Sequence, residues 1–156
     1  MASFVFNKAS SLIDEGITVR LGVSTIKIML VTDTYIPTPD DAAVDLGGGT
    51  GLVAAEINVS GYVRGWGGAG RKTLASKTFT FNNSTDRATF DNAVDLTWTT
   101  LAAGTTIHAS VIIMEQASND TNTIPIAYLE ALTPTPTNGG DFTGIFNTLG
   151  IFYTQQ

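Results

Sequence analysis

The sequence predicts an all-β fold, a β-sandwich of jelly-roll type with a short N-terminal helix and a second short helix inside a long connection. Three observations lead there. Thr and Gly are plentiful and strong helix formers are scarce, a balance that favours strands and turns. Short segments of alternating character recur, separated by turn signals such as Ser60-Gly61 and Asn138-Gly139-Gly140, as in sandwiches and barrels. Only two stretches carry helix signals. The 156 residues read as one domain, 1–156, of a size that buries roughly 70% of the unfolded chain's surface. A core therefore forms without covalent staples.

Residues 4–15 read as the first helix. Val5, Ala9, Leu12 and Ile13 share one face. Ser3 is placed to cap its start and Gly16 to end it. A helix this short needs a sheet or a neighbouring subunit over its apolar face. Thr25 to Val31 follows as a strand. Ile26, Ile28 and Leu30 face one side and Lys27, Met29 and Val31 the other, so both faces are largely apolar and the strand is central. Residues 33–55 form a long connection, a feature that often carries function or partner contacts. Within it Thr38-Pro39-Asp40-Asp41 has the order of a helix start: a capping Thr, Pro in the first turn, then acids at the positive end of the dipole. The spacing predicts a short helix over 39–46, stopped by Gly47-Gly48-Gly49.

Strands are then expected in series. Val53 to Val59 and Tyr62 to Trp66 flank Ser60-Gly61. Lys72 to Phe81 contains the alternating pair Phe79 and Phe81, and a turn over 82–86 leads to Arg87 to Phe90. Val94, Leu96 and Trp98 alternate with Asp95, Thr97 and Thr99. Ile107, Ala109, Val111 and Ile113 form one face of the next strand. Ile124 to Leu132, Phe142 to Phe146 and Ile151 to Tyr153 complete the series. Pro125 marks an edge or a strand start.

Composition bounds the chemistry. Apolar residues make up 43% of the chain, charged residues only 14%, and the net charge is −6. Phosphate neutralisation needs clustered Lys and Arg, and only Arg71-Lys72 are adjacent, so no nucleic-acid partner is expected. There is no Cys, which removes disulfides and thiolate metal sites. The first residues lack a basic segment followed by an apolar run, so no signal peptide is expected. No stretch approaches the ~20 apolar residues of a membrane span, and no membrane partner is expected.

Candidate motifs resolve toward structure. Gly65-Trp66-Gly67-Gly68-Ala69-Gly70 matches G-x-G-x-x-G, but a dinucleotide site needs a helix to open at once, and Thr78-Phe79-Thr80-Phe81 alternates as a strand. The segment reads as a glycine hairpin tip. Trp66 on it packs either into the core at a strand end or on a neighbouring molecule. His108 is the sole histidine, and no G-x-S-x-G accompanies it. Asp33, Asp40, Asp41 and Asp45 offer oxygen ligands without EF-hand spacing, and two of them are explained by the expected helix start. Neither a metal nor a cofactor is expected. Tyr35, Tyr62, Trp66 and Trp98 are candidates for stacking on sugar rings, with core packing as the alternative.

Several segments in order resemble a family of small tailed-bacteriophage virion proteins. They are the N-terminal helix ending at Gly16; Thr25-Ile26-Lys27-Ile28-Met29-Leu30-Val31 followed by Tyr35-Ile36-Pro37; Glu56 with Ser60-Gly61-Tyr62-Val63-Arg64; Ala88-Thr89-Phe90-Asp91 with Val94 and Trp98; Val111-Ile112-Ile113; Pro125-Ile126-Ala127-Tyr128; and Asn138-Gly139-Gly140-Asp141-Phe142. The glycine tip 65–70 and the triple glycine 47–49 depart from the pattern. The resemblance implies a virion structural protein with no enzymatic activity, similar to capsid decoration (cement) proteins. Its implied partner is the major capsid protein, and its implied place is the capsid surface after synthesis in the host cytoplasm. It also implies a homo-oligomer, with a trimer favoured. A tail or fibre component with a carbohydrate- or receptor-binding β-sandwich is the alternative. The long connection and the tip are expected to make the contacts, with Tyr35, Asp40, Asp41, Trp66 and Arg71 as interface residues.

Overall fold

The computed structural model describes residues 3–14, 21–22, 24–84, 87–116, 119–145 and 151–155. In chain order the elements are β1 (Phe4–Val5), α1 (Asn7–Asp14), β2 (Ile26–Val31), α2 (Leu52–Ala55), β3 (Lys72–Thr73), β4 (Lys77–Asn82), β5 (Arg87–Asn92), β6 (Leu96–Trp98), β7 (Thr106–Met114), β8 (Ile124–Pro136), β9 (Phe142–Gly144) and β10 (Phe152–Gln155). The protein is mostly β and all strand pairs are antiparallel. The strands form a five-stranded sheet in the order β1-β8-β7-β2-β3, a three-stranded sheet β10-β5-β4, and the pair β6-β9.

The five-stranded sheet carries the core. β2 is apolar on both faces, so it is stable only with cover on both sides, and it lies inside the sheet as the sequence predicts. Ile26 pairs with Met114 and the register runs unbroken to Val31 with Ala109. Ile26, Met29, Leu30, Val31, Ile112, Ile113 and Ile126 are fully buried. Each such side chain stabilises the fold by about 1.5–3 kcal/mol through loss of water-exposed apolar surface. β8 slips register against β7 twice. One slip lies beside Pro125, and the other sets the four residues 131–134 of β8 against the single residue His108 of β7. Of the three prolines of β8, Pro125 and Pro134 thus sit at irregularities and Pro136 at the strand end, positions where a missing N–H is tolerated. A cavity of about 210 Å³ remains between Ile28, Leu30 and Leu129 of this sheet and Trp98 and Phe142 of the β6–β9 pair.

The N-terminus differs from its prediction. The helix starts at Asn7 because Phe4 and Val5 are drawn into β1 opposite Tyr128 and Ala127. Phe4 meets Phe6 edge-on and stacks on Tyr128. The Ser3 hydroxyl accepts the Glu130 N–H at 3.1 Å and does not cap the helix. Phe6 supplies the first helical carbonyl, to Ser10 N–H, and Phe6 and Ala9 are buried against the sheet. The predicted stop at Gly16 lies outside the described residues.

The long connection also differs. Residues 39–46 are not helical, because their polar groups have other partners. The Asp41 carboxylate turns back onto the N–H and hydroxyl of Thr38. Val44 N–H and Asp45 N–H donate to the carbonyls of Thr123 and Asp120 in the β7–β8 connection. The short helix of this connection is α2 at its far end, where Leu52 and Ala55 are buried. It replaces the first part of the strand expected over 53–59, and only Glu56 keeps a bridge, to Val31. The strand expected over 62–66 is a pair of turns, with Tyr62 N–H bonded to Val59 O and Gly68 N–H to Gly65 O. The strand expected over 72–81 is split in two, because Leu74 turns into the core and donates to Ile26 O. The last expected strands are shorter or shifted, at β9 and β10.

Ile112→Ala tests which sheet carries the stability. It should lower unfolding free energy by about 2–5 kcal/mol, the range for a fully buried Ile that leaves a cavity, read as a shift of the urea midpoint at constant slope.

Candidate interaction surface around a buried arginine

Arg71 stands immediately before β3, and its side chain is fully buried. Three carboxylates from three parts of the chain surround it. Glu56 is held against β2 by its bridge to Val31, Glu115 follows the end of β7, and Asp120 sits in the β7–β8 connection. Nε and Nη2 of Arg71 donate to the two Glu56 oxygens at 2.9 and 2.7 Å. Nη1 and Nη2 donate to Asp120 at 2.5 and 3.1 Å. Nη1 also donates to Glu115 Oε1 at 3.3 Å. These bonds match the five N–H groups of a guanidinium, an arrangement that a lysine ammonium cannot supply. Lys27 closes the cluster, with Nζ at 2.5 Å from Glu115 Oε2.

Two cations against three carboxylates leave one negative charge in excess. Neutral donors take up the remaining lone pairs. The Tyr62 hydroxyl donates to Glu56 Oε1 at 3.0 Å and accepts Leu30 N–H. The backbone N–H of Gly65 donates to Glu56, that of Trp66 to Asp120 and that of Gly67 to Glu115. Three successive amides of the tip thus each donate to a different carboxylate of the cluster. This explains G-x-G-x-x-G without a nucleotide. Two of its glycines are required by close approach: a Cβ at Gly68 would sit 2.2 Å from Val63 O, and one at Gly70 would sit 2.5 Å from the Tyr62 ring. The Gly70 carbonyl accepts the Trp98 indole N–H at 2.5 Å, tying the tip to the core.

Burial opposes the Arg71 charge, but the hydrogen bonds to Glu56 and Asp120 overcome it and hold its pKa above the ordinary value. Burial, reinforced by the Glu56 charge, raises the Tyr62 pKa well above 10. Tyr35 is pushed up to about 12, by burial and then by its hydrogen bond to Asp41. Burial, with smaller effects of Glu130 and Asp33, also raises Tyr128.

The cluster gathers the two elements expected to make contacts. Asp120 joins both: its carboxylate holds Trp66 and Arg71, and its carbonyl accepts Asp45 N–H from the long connection. Of the five expected interface residues, Trp66 and Asp40 are exposed. The Trp66 indole is 46% exposed while its N–H is fixed to Gln116 O at 2.8 Å, so the expected core position at a strand end gives way to a pinned surface ring. Asp40 accepts the Asn7 side-chain amide. Tyr35 is half-buried and donates to Asp41 at 2.8 Å. Asp41 and Arg71 are buried with internal partners, so neither offers its charge to another molecule. Sequence reasoning missed Glu56, Glu115 and Asp120 as a group, because they are 59 and 5 residues apart and only the sheet brings them together.

The remaining candidates are dispersed. The Asp45 carboxylate accepts the N–H groups of Gly47, Gly49 and Thr50, which explains the triple glycine as a closed turn. Among the described residues no three His, Asp or Glu side chains are grouped to hold a metal. His108 Nε2 lies 3.5 Å from Asp33, and both are partly exposed. Tyr62 and Trp98 are buried, so the four aromatics considered for sugar stacking share no surface. No family profile, curated protein or solved structure matches the chain.

Arg71→Met should cost about 3–5 kcal/mol, the usual effect of leaving buried carboxylates without their cation, measured by urea unfolding at pH 7. The tyrosines set an alkaline limit. Their folded pKa values are raised, so their contribution is complete below the ordinary value of 10 and falls as pH rises toward 12, where the unfolded chain ionises first. Thermal unfolding from pH 8 to 12 should therefore show a falling Tm above pH 10, together with delayed tyrosinate absorbance in the native protein.

Proposed function

We propose that this protein is a non-enzymatic structural component of a tailed-phage virion, a decoration or cement protein that binds the outer capsid shell and stabilises it. The observation that carries this reading is the pinned Trp66 tip. A half-exposed indole is held by its N–H and by the backbone beneath it on a buried ion cluster. A rigid aromatic presented in this way binds with little further loss of side-chain freedom. Exposed Leu46 lies beside Asp45, whose N–H is bonded to Asp120 O, and adds apolar surface to the same end of the sheet. The carboxylates that the fold brings together are held by Arg71, Lys27 and backbone amides, an arrangement suited to rigidity rather than proton transfer.

The resemblance of the ordered segments supplies the partner, the major capsid protein, and the place, the capsid surface, with synthesis in the host cytoplasm. A sandwich of jelly-roll type is the finer architecture that goes with this reading. Repetition over a symmetric shell would add avidity to an interface of modest size, and a small cyclic oligomer would match a lattice axis. The tail or fibre reading uses the same non-catalytic β domain.

Quantitative peptide mass spectrometry of purified virions tests the proposal. A copy number near that of the major shell protein is expected. A handful of copies per particle would place the protein in the tail or fibre instead, and its absence from virions would overturn both readings.

A further inference from the structure

β4 is an edge strand whose only guard against pairing is Lys77 at its first position. It ends the three-stranded sheet, with β5 on one side and no strand on the other among the described residues. Edge strands are commonly guarded by charge, proline or bulges. Here Thr78 to Asn82 carry no charge and no proline, and the β4–β5 register is unbroken over six pairs. The one charge on the strand, Lys77, is directed inward, its ammonium bonded to the Ser24 carbonyl. Phe79 and Phe81 lie on one face and are 55% and 79% exposed. Two large aromatic side chains left in water on a regularly paired edge mark an interaction surface.

We propose that β4 pairs with β4 of a second copy of this chain, antiparallel about a two-fold axis normal to the sheet, joining two three-stranded sheets into one of six strands. The register follows from the residues. A two-fold of this kind keeps each face of the sheet on its own side, so it pairs only residues of the same face. Opposing Thr80 to itself places Phe79 against Phe81 of the second copy, and Phe81 against Phe79, giving two cross-strand aromatic pairs. The neighbouring choice, Phe79 against itself, would set Phe81 against Lys77. In the chosen register Thr78 faces Asn82, so no like charges meet. This contact involves neither the Trp66 tip nor the long connection; it sets a two-fold pair in place of the trimer that the resemblance favours, and its failure would leave the shell-binding reading untouched.

Light scattering of the purified chain tests it, with a concentration series reaching about 1 mM because the interface is at the small end of the usual range. The expected mass is twice 16.4 kDa. Phe79→Lys/Phe81→Lys, which opposes lysines across the axis, should return it to one chain with unchanged circular dichroism. The register is read separately by cysteine cross-linking, which has no background because the chain lacks Cys. Thr80→Cys should form a disulfide-linked dimer under mild oxidation, since directly opposed strand residues lie within disulfide reach. Thr78→Cys, which faces Asn82, should not. A monomer throughout the series, a mass of three chains, or equal cross-linking at both positions would overturn the proposal. So would a monomer that loses only virion binding on the lysine double substitution, which would give the edge to a different partner.

Discussion

A buried guanidinium constrains the rest of this structure. Removing Arg71 from water is costly unless each of its N–H groups and a matching negative charge are supplied inside. The fold meets that condition with residues 15, 44 and 49 positions away in the chain. Glu56 must therefore lie against β2, Glu115 must directly follow β7, and the β7–β8 connection must fold back with Asp120. The excess negative charge in turn requires donors, and the amides of the glycine tip and the Tyr62 hydroxyl provide them. One charged side chain thus determines the positions of a helix-ended connection, a tip and a hairpin loop.

The tip owes its conformation to this arrangement. A glycine loop free in water would lose much conformational entropy on ordering. Here the amides of Gly65, Trp66 and Gly67 each gain a carboxylate partner, and such charge-assisted bonds are a strong class of hydrogen bond. The backbone also passes so close to Tyr62 and to its own preceding turn that side chains are excluded at two positions. Rigidity therefore comes from electrostatics and close approach, with Trp66 standing outside the core on a fixed base.

The edges of the sheets show a contrast. β1 and β3, at the edges of the five-stranded sheet, have only two residues each and leave little ladder exposed. β4 has six residues and an aromatic face. Short edges limit further pairing, whereas a long neutral edge permits it, so the surface of this protein is differentiated by strand length as well as by side-chain chemistry.

Local pattern in the sequence by itself determined the all-β class, the double-faced apolar strand β2, the alternation of β7 and the absence of a helix after the glycine tip, while the choice between sugar stacking and core packing for Trp98 was made by the fold. Those features depend on residues two to four positions apart, where periodicity reports burial directly. Tertiary structure decided what depended on distant partners. Thr38-Pro39-Asp40-Asp41 has a proper helix start, yet the Asp41 carboxylate folds back on Thr38 and the Val44 and Asp45 amides pair with the β7–β8 connection. Phe79 and Phe81 alternate like half-buried residues and lie exposed on an edge. Arg71 is expected from the sequence as an interface residue and is buried. Its carboxylate partners carry no spacing signal, because the cost of an unpaired buried charge is settled by which groups the folded sheet brings within hydrogen-bond reach, and not by their order along the chain.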